Sequence, residues 1–423
     1  MSILRSPVII PLILVGVLGV ALLTGRNRGG AVDGRVEVVY AHPPCPPFLL
    51  EIYERIFNDF RHTHPNIKLT VQKVTSDYEQ KMLVRQAGRV APDVVFMYPT
   101  ALASYAARGA FIDLTPLVAA DPDVALSDYY KPMIDAFTYK GKVYGLPKDA
   151  SAPVIFYNKD MFDREGVEYP NPSWTWDDFL EAAKKLAKTN AKGRRIQFGT
   201  AGIDWPELIW QNGGELFTPD MKHCLLDSPE AIEAIQWKAD LTYKHHVAPT
   251  PIEFEDRGPV DLFETGKIGM FESIYPIVAE FRAKCDFAWD IALLPKGKCD
   301  RPAPCLGSAF AITAQCKHQK EAFEFIKYMT GMEGMLRLAP VELASYKAVA
   351  KRPEFLDPTT LPRNKQAAAA VMQYARPLPQ SPRWMEIITV VGNELDPVWR
   401  GKKTAADACR KLVPKVDKLL AEE

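Results

Sequence analysis

The chain has 423 residues, 47% hydrophobic and 25% charged, with 52 Lys+Arg against 52 Asp+Glu and a formal net charge of zero. That is the mix of a folded protein, which excludes a largely disordered chain, and the length suits two or three domains of ordinary size. Neutrality argues against a nucleic-acid binder, which carries a basic surplus or stripe, and the 35 prolines argue against long uninterrupted helices.

Residues 8–23 are almost wholly apolar, broken by Pro11, Gly16 and Gly19, with Arg5 before them and Arg26 and Arg28 after. The run is short for a membrane span of about 20 residues and suits the apolar region of an export signal; counted over 3–24 it reaches the length of a marginal anchor. Residues 1–30 are therefore read as a signal peptide or N-terminal membrane anchor, which implies a periplasmic or otherwise extracytoplasmic protein. No Cys follows the run, so a lipoprotein anchor is not supported. Setting this basic segment aside leaves a slightly acidic remainder.

From there strand and helix alternate. RVEVVY (35–40) alternates as a strand and runs into the turn-rich AHPPCPP. Phe48, Leu49, Ile52, Ile56, Phe57 and Phe60 fall on one helical face. Residues 67–74 alternate again, 78–86 read as a helix stopped by Gly88, and PDVVFM (92–97) is a continuous apolar run of the kind buried in a parallel sheet. Strand, helix, strand, helix, strand predicts a doubly wound α/β domain. Residues 142–146 and 154–157 read as strands flanking a loop, PKDASAP. Residues 174–189 predict a helix with Thr175 as N-cap and Asp178 completing a capping box. Helices are expected over 231–245 and 317–330, short strands at 268–271 and 291–294, and a mostly helical stretch over 384–420. Without internal repeats or a low-complexity linker, two α/β lobes with several chain crossings fit better than domains in series.

Catalytic signatures are missing: there is no Walker-type loop, no GxSxG and no HExxH. His62 and His64 end a helix, as do His245 and His246, and the helix dipole there favours imidazolium, so capping is expected over metal binding. Ser308 in LGSAF has no base partner nearby. The seven Cys are 45, 224, 285, 299, 305, 316 and 409. Cys299 and Cys305 in KCDRPAPC are spaced for a small disulfide loop, with free thiols the alternative; a zinc site is least supported, lacking a second close pair or His ligands. Aromatic residues say more. Tyr98, Trp205, Tyr275 and Trp384 stand at predicted element ends among carboxylates, amides and hydroxyls, the surroundings in which a ring covers a sugar's C–H face while polar groups bond its hydroxyls. Trp176 and Trp237 sit inside helical stripes and are expected in the core; Trp210 fits either role.

The order of segments resembles the bacterial extracellular solute-binding proteins of family 1, the maltose-binding-like receptors of ABC sugar importers. The landmarks are PDVVFMYPTALASYAARGAFIDLTPL, YKGKVYGLPKDASAPVIFYNKDMFDREGV, SWTWDDFLEAAKKLAK, WQNGGELF, FETGKIGMFESIYPI and the stretch from ALLPKGKCDRPAPC to FEFIKYMT. The resemblance implies a two-lobed α/β fold of the type II-like periplasmic-binding-protein kind, with crossover hinge strands and a ligand cleft between the lobes. Lobe I would hold 31–147 and 294–332, lobe II 148–293 and 333–423. It further implies a protein without catalysis or cofactor, monomeric, that closes around a sugar and presents it to ABC permease subunits.

Matched residue by residue, the resemblance places His42, Asp77 with Ser76 and Tyr78, Tyr98 with Met97 and Thr100, and Lys148, Asp149 and Ser151 at the cleft. Gly307 and Ser308 would line the same lobe's inner face. In the other lobe it places Asp204, Trp205, Glu272, Ser273, Tyr275, Arg383 and Trp384. Relatives often stack sugar on a Trp where Met97 stands, which passes that duty to Tyr98. The same fold could instead bind a charged solute such as a glycerol phosphodiester or polyamine, or serve a membrane-tethered sensor; an exported metallohydrolase is the least supported alternative.

Overall fold

The computed structural model describes residues 34–255 and 257–422; the signal or anchor reading of residues 1–30 lies outside the described residues. The first sheet begins with β1 (Val36–His42), crosses through α1 (Pro47–Thr63) to β2 (Ile67–Lys73), and through α2 (Tyr78–Ala87) to β3 (Val94–Met97). These strands are parallel, with β1 between the other two. α1 buries Tyr53, Ile56, Phe57 and Phe60, the face its apolar spacing marks out. α3 (Pro99–Ala107) follows β3 directly, Pro99 supplying the pre-set φ of a first helical turn.

β4 (Leu146–Ser151) stays on the first sheet, and β5 (Val154–Asn158), which follows almost at once, opens the second. The second sheet adds α4 (Trp176–Leu186), β6 (Arg195–Thr200), α5 (Trp205–Gln211), α6 (Pro229–Tyr243), β7 (Ile268–Ser273) and β8 (Trp289–Ala292). Its order is β8-β5-β7-β6 with Lys188–Thr189 at the edge; β7 is parallel to β6 and antiparallel to β5. The chain then returns: β9 (Ala303–Ile312) inserts antiparallel between β3 and β4 on the first sheet, and α7 (Gln319–Thr330) packs beside it. β10 (Ala375–Pro377) pairs with β9, and α8 (Trp384–Trp399) and α9 (Ala405–Ala421) close the chain. Pro397 and Pro414 are accommodated inside these last helices. Among the described residues no helix is long and apolar enough to cross a membrane.

Two expectations need correction. The supposed loop PKDASAP is mostly strand β4. Its backbone is consumed on both sides, by β9 and by the segment around Leu343, whose carbonyl accepts from Ala150 N at 2.8 Å. Lys148 and Asp149 are partnered internally, and with Ser151 they interrupt the apolar alternation that would mark a strand. Nor do Cys299 and Cys305 form a disulfide; both thiols are free. Cys305 lies inside β9 with Sγ 3.2 Å from Met133 Sδ, while Cys299 is exposed on the turn before it.

Elsewhere the local signals translate directly. The capping box of Thr175 and Asp178 starts α4 as the spacing requires. α4 lies so close over β6 that a Cβ on Gly199 would stand 1.9 Å from the Ala183 carbonyl oxygen, so only glycine fits there.

Candidate functional site

Open α/β sheets hold ligands outside the carboxyl ends of their strands. On the first sheet β1 and β3 end at His42 and Met97; on the second the parallel pair β6 and β7 ends at Thr200 and Ser273. Ser273 pairs with Val154, the first residue of β5, so the end of β7 adjoins the crossover from β4. The crossover thus brings the ends of both sheets to one region.

On the first side, Tyr98 is 46% exposed, its ring edge-on to Phe96 at 5.1 Å, while Met97 is buried. Asp77 is exposed at φ 49°, its carboxylate free of any capping bond to α2. Tyr78 is structural: its hydroxyl donates to Ala41 O and accepts from Phe96 N, both at 2.9 Å, tying β1 to β3. His42 is buried against Tyr53, with Nδ1 2.6 Å from Pro43 O and Nε2 unpartnered. Burial lowers its pKa against the pull of the Pro43 carbonyl, and nearby Lys148 adds to the lowering.

Lys148 is 3% exposed, and its ammonium is committed to protein. It donates to Tyr53 Oη at 2.8 Å and Glu342 Oε2 at 2.6 Å, and Asp149 Oδ1 lies at 3.4 Å. Burial opposes its charge, but Asp149 and Glu342 outweigh that and hold its pKa well above the usual lysine value. Ser308, which lacks a base partner in sequence, donates its hydroxyl to Asp149 across β4 and β9. Gly307 takes φ 113°, and a Cβ there would sit 2.7 Å from Asp149 O. Ser151 is buried with its hydroxyl unpartnered.

On the second side, Asp204 caps α5 by accepting from Trp205 N at 2.9 Å, and its own N–H donates to Glu272 Oε2 at 2.7 Å. Lys238 on α6 donates to Ile203 O at 2.7 Å and lies 3.1 Å from Asp204 Oδ1. Trp205 and Ser273 are half-buried. Tyr275 is buried against Phe355, its hydroxyl unpartnered.

Glu207 completes this group and escapes the sequence reading. It is 1% exposed, touches Glu272, and leaves Oε2 without a partner. Its spacing of three from Asp204 at a helix start was the available signal. Glu342 and Lys238 gave none, because their partners lie far away along the chain.

Arg383 and Trp384 stand at the head of α8, on the side of α3. Arg383 is held by Glu386 and Glu422, and Trp384 is 5% exposed against Phe217, a core placement where an open stacking face was expected. With Thr100, Glu79 and Arg108 they line a cavity of about 210 Å³. Trp210 is also core, with the Arg376 guanidinium 4.7 Å above its ring, and Trp176 stacks on Trp237 at 4.6 Å. His64 stacks on Phe60 at 4.3 Å. At His245 the expectation of a favoured imidazolium fails: burial, then Lys184 and Lys244, lower its pKa. Among the described residues no group of His, Cys, Asp or Glu is arranged to hold a metal ion.

The family described as bacterial extracellular solute-binding protein matches residues 49–336. The chain is similar to an arabinooligosaccharide-binding protein from Bacillus subtilis, 24% identical over 305 residues, 67% of each chain. It is also similar to an sn-glycerol-3-phosphate-binding periplasmic protein from Pectobacterium atrosepticum, 24% identical over 400 residues, covering 85% of this chain and 86% of that one. Among solved structures, an ABC substrate-binding protein from Listeria monocytogenes in complex with cycloalternan matches with a TM-score of 0.82 at 28% identity, over 92% of this chain and 99% of its own.

Proposed function

The chain belongs to the bacterial extracellular solute-binding proteins, and from that premise we propose that it is an extracytoplasmic receptor that captures a mono- or oligosaccharide between its lobes and delivers it to the permease of an ABC transporter. The observation that carries this reading is the pairing of aromatic faces with carboxylates at the strand ends of both sheets: Tyr98 near Asp149, Trp205 beside Asp204. Rings meet the C–H faces of a pyranose and carboxylates take its hydroxyls. Gly307 lets β9 lie close on the Asp149 backbone of β4, and Ser273 adds a hydroxyl. His42, Lys148, Ser151, Glu272, Tyr275 and Ser308 hold this wall from behind.

In this reading lobe I comprises 31–147 with 294–332 and lobe II 148–293 with 333–423, with β4 and β10 reaching onto the first sheet as crossover strands. Ligand contacts to both lobes favour the closed conformation, which is how binding does work without catalysis. The protein acts as an exported monomer with no catalytic step of its own, released by signal cleavage or retained by its N-terminal anchor.

Titrating the purified protein with a panel of sugars should give a saturable change in tryptophan emission; silence across mono- and oligosaccharides would overturn the proposal. Tyr98→Ala should weaken the best sugar about tenfold or more while shifting stability by less than about 0.5 kcal/mol, because the ring is exposed. The relative from Pectobacterium motivates a second reading, a glycerol phosphate ester as ligand. The local charges oppose it: Lys148 is neutralised by Asp149 and Glu342, and the exposed charge beside Trp205 is an acid, Asp204. An anion site would instead lose affinity on Arg383→Ala.

A further inference from the structure

We propose that Arg376 and Gln211 are positioning residues for solute capture: they pin both returning segments of the chain to the last turn of α5, and so set the angle between the lobes and the affinity for the solute. This rests on the reading of Trp205 as part of the ligand wall and of capture as lobe closure. α5 has seven residues and spans about 10 Å. Its head carries the Asp204–Trp205 corner. Its tail, Trp210 and Gln211, meets the two late segments that lead into β9 and β10 on the first sheet.

Gln211 is fully buried and holds the first of these segments. Its carbonyl accepts from Cys299 N at 2.7 Å, and its Nε2 donates to Pro302 O at 3.4 Å, one residue before β9 begins. Its Oε1 accepts from Trp176 Nε1 at 2.7 Å, which fixes the orientation of the amide. The fit is close: a Cβ on Gly297 would stand 2.5 Å from the Gln211 carbonyl oxygen. Arg376 holds the second segment. From β10 its guanidinium lies 4.7 Å over the Trp210 ring, and its Nη2 donates to the two Glu215 carboxylate oxygens at 3.1 and 2.9 Å. The segments are joined to each other where they enter the first sheet, Ala303 N donating to Tyr374 O at 3.1 Å and Pro304 pairing with Arg376. The Arg376 and Glu215 side chains are 40% and 50% exposed, and an ion pair that open adds little to folding. A guanidinium that is both stacked and paired nevertheless has one orientation. Turning one lobe against the other about these strands must therefore slide Arg376 off Trp210 or carry α5 along, and Trp205 with it. Ligand wall and crossover strands meet at opposite ends of one short helix.

The test measures the angle between the lobes of the full chain without sugar, from amide residual dipolar couplings, in wild type and variants. Arg376→Met keeps the apolar stem and loses the charge, and should shift the angle; Arg376→Lys keeps a cation for ring and acid and should shift it less. Gln211→Glu retains the acceptor for Trp176 but replaces the donor to Pro302 O with an acid, and should shift the angle as well. Because its side chain is exposed, Arg376→Met should leave Tm within about 3 °C of wild type, which keeps the test decisive if Gln211→Glu fails to fold. A much larger fall would mark Arg376 as holding the fold and overturn its positioning role. A residue that merely touched sugar would leave the sugar-free angle where it is, so an angle that Arg376→Met does not move overturns the proposal. With maltotriose and arabinotriose as probes, Arg376→Met should weaken Kd about threefold or more; a shifted angle with unchanged Kd also overturns it. Binding of neither sugar would count against the receptor reading, while the sugar-free angle would still decide whether these residues set it.

Discussion

Lys148 shows how far a residue's surroundings can redirect its chemistry. Sequence order puts it at a ligand position, yet Tyr53, Asp149 and Glu342 surround its ammonium in a site that is almost dry. Replacing one partner of such a group leaves the others charged and buried, which costs more than the pair itself contributes. Lys148→Met should therefore destabilise the protein by about 3–5 kcal/mol in urea unfolding, and a loss under about 1 kcal/mol would show that the acids find water instead. Residue types at the proposed site were legible where a motif carried them, as at Tyr98 and Asp204. Pairings were not: Ser308 and Asp149 stand 159 positions apart, and only the antiparallel register of β4 and β9 joins them. Trp384 was misjudged for a related reason, since nothing near it in the chain announces that Phe217 covers its ring.

At the scale of elements, periodicity was a good guide wherever one face alone is buried. α1, α4 and α7 all follow their apolar stripes, and the capping box fixes the start of α4 within one turn. β4 escaped because it is buried on every side yet carries Lys148, Asp149 and Ser151 among Leu146, Pro147 and Ala150, so neither alternation nor an apolar run marks it. Close approach between elements is equally silent in sequence. Gly199 looks like any strand glycine, yet α4 rests on its bare Cα. Gly199→Ala would drive a methyl group into the Ala183 carbonyl and should cost about 3 kcal/mol, read as a lowered Tm, whereas Gly258→Ala meets nothing within 4 Å and should leave Tm within about 2 °C.

Across the whole molecule, the α/β class and two-lobed plan could be read because strands and helices alternate and no linker divides them. What could not be read was how late the first sheet is finished. β1, β2 and β3 come from the opening part of the chain, but β9 enters beside β3 only at residues 303–312, and β10 pairs with β9 only at 375–377. A fragment ending at residue 293 has every strand of the second sheet and none of β9. Its β3 amides should exchange rapidly with solvent while those of β5 and β7 stay protected, and slow exchange in β3 would show that the first sheet closes without β9. This late insertion also sets an order of events at the ribosome. The second sheet has all its strands while the first still waits, so the segment made first settles only after a later lobe has had the chance to form.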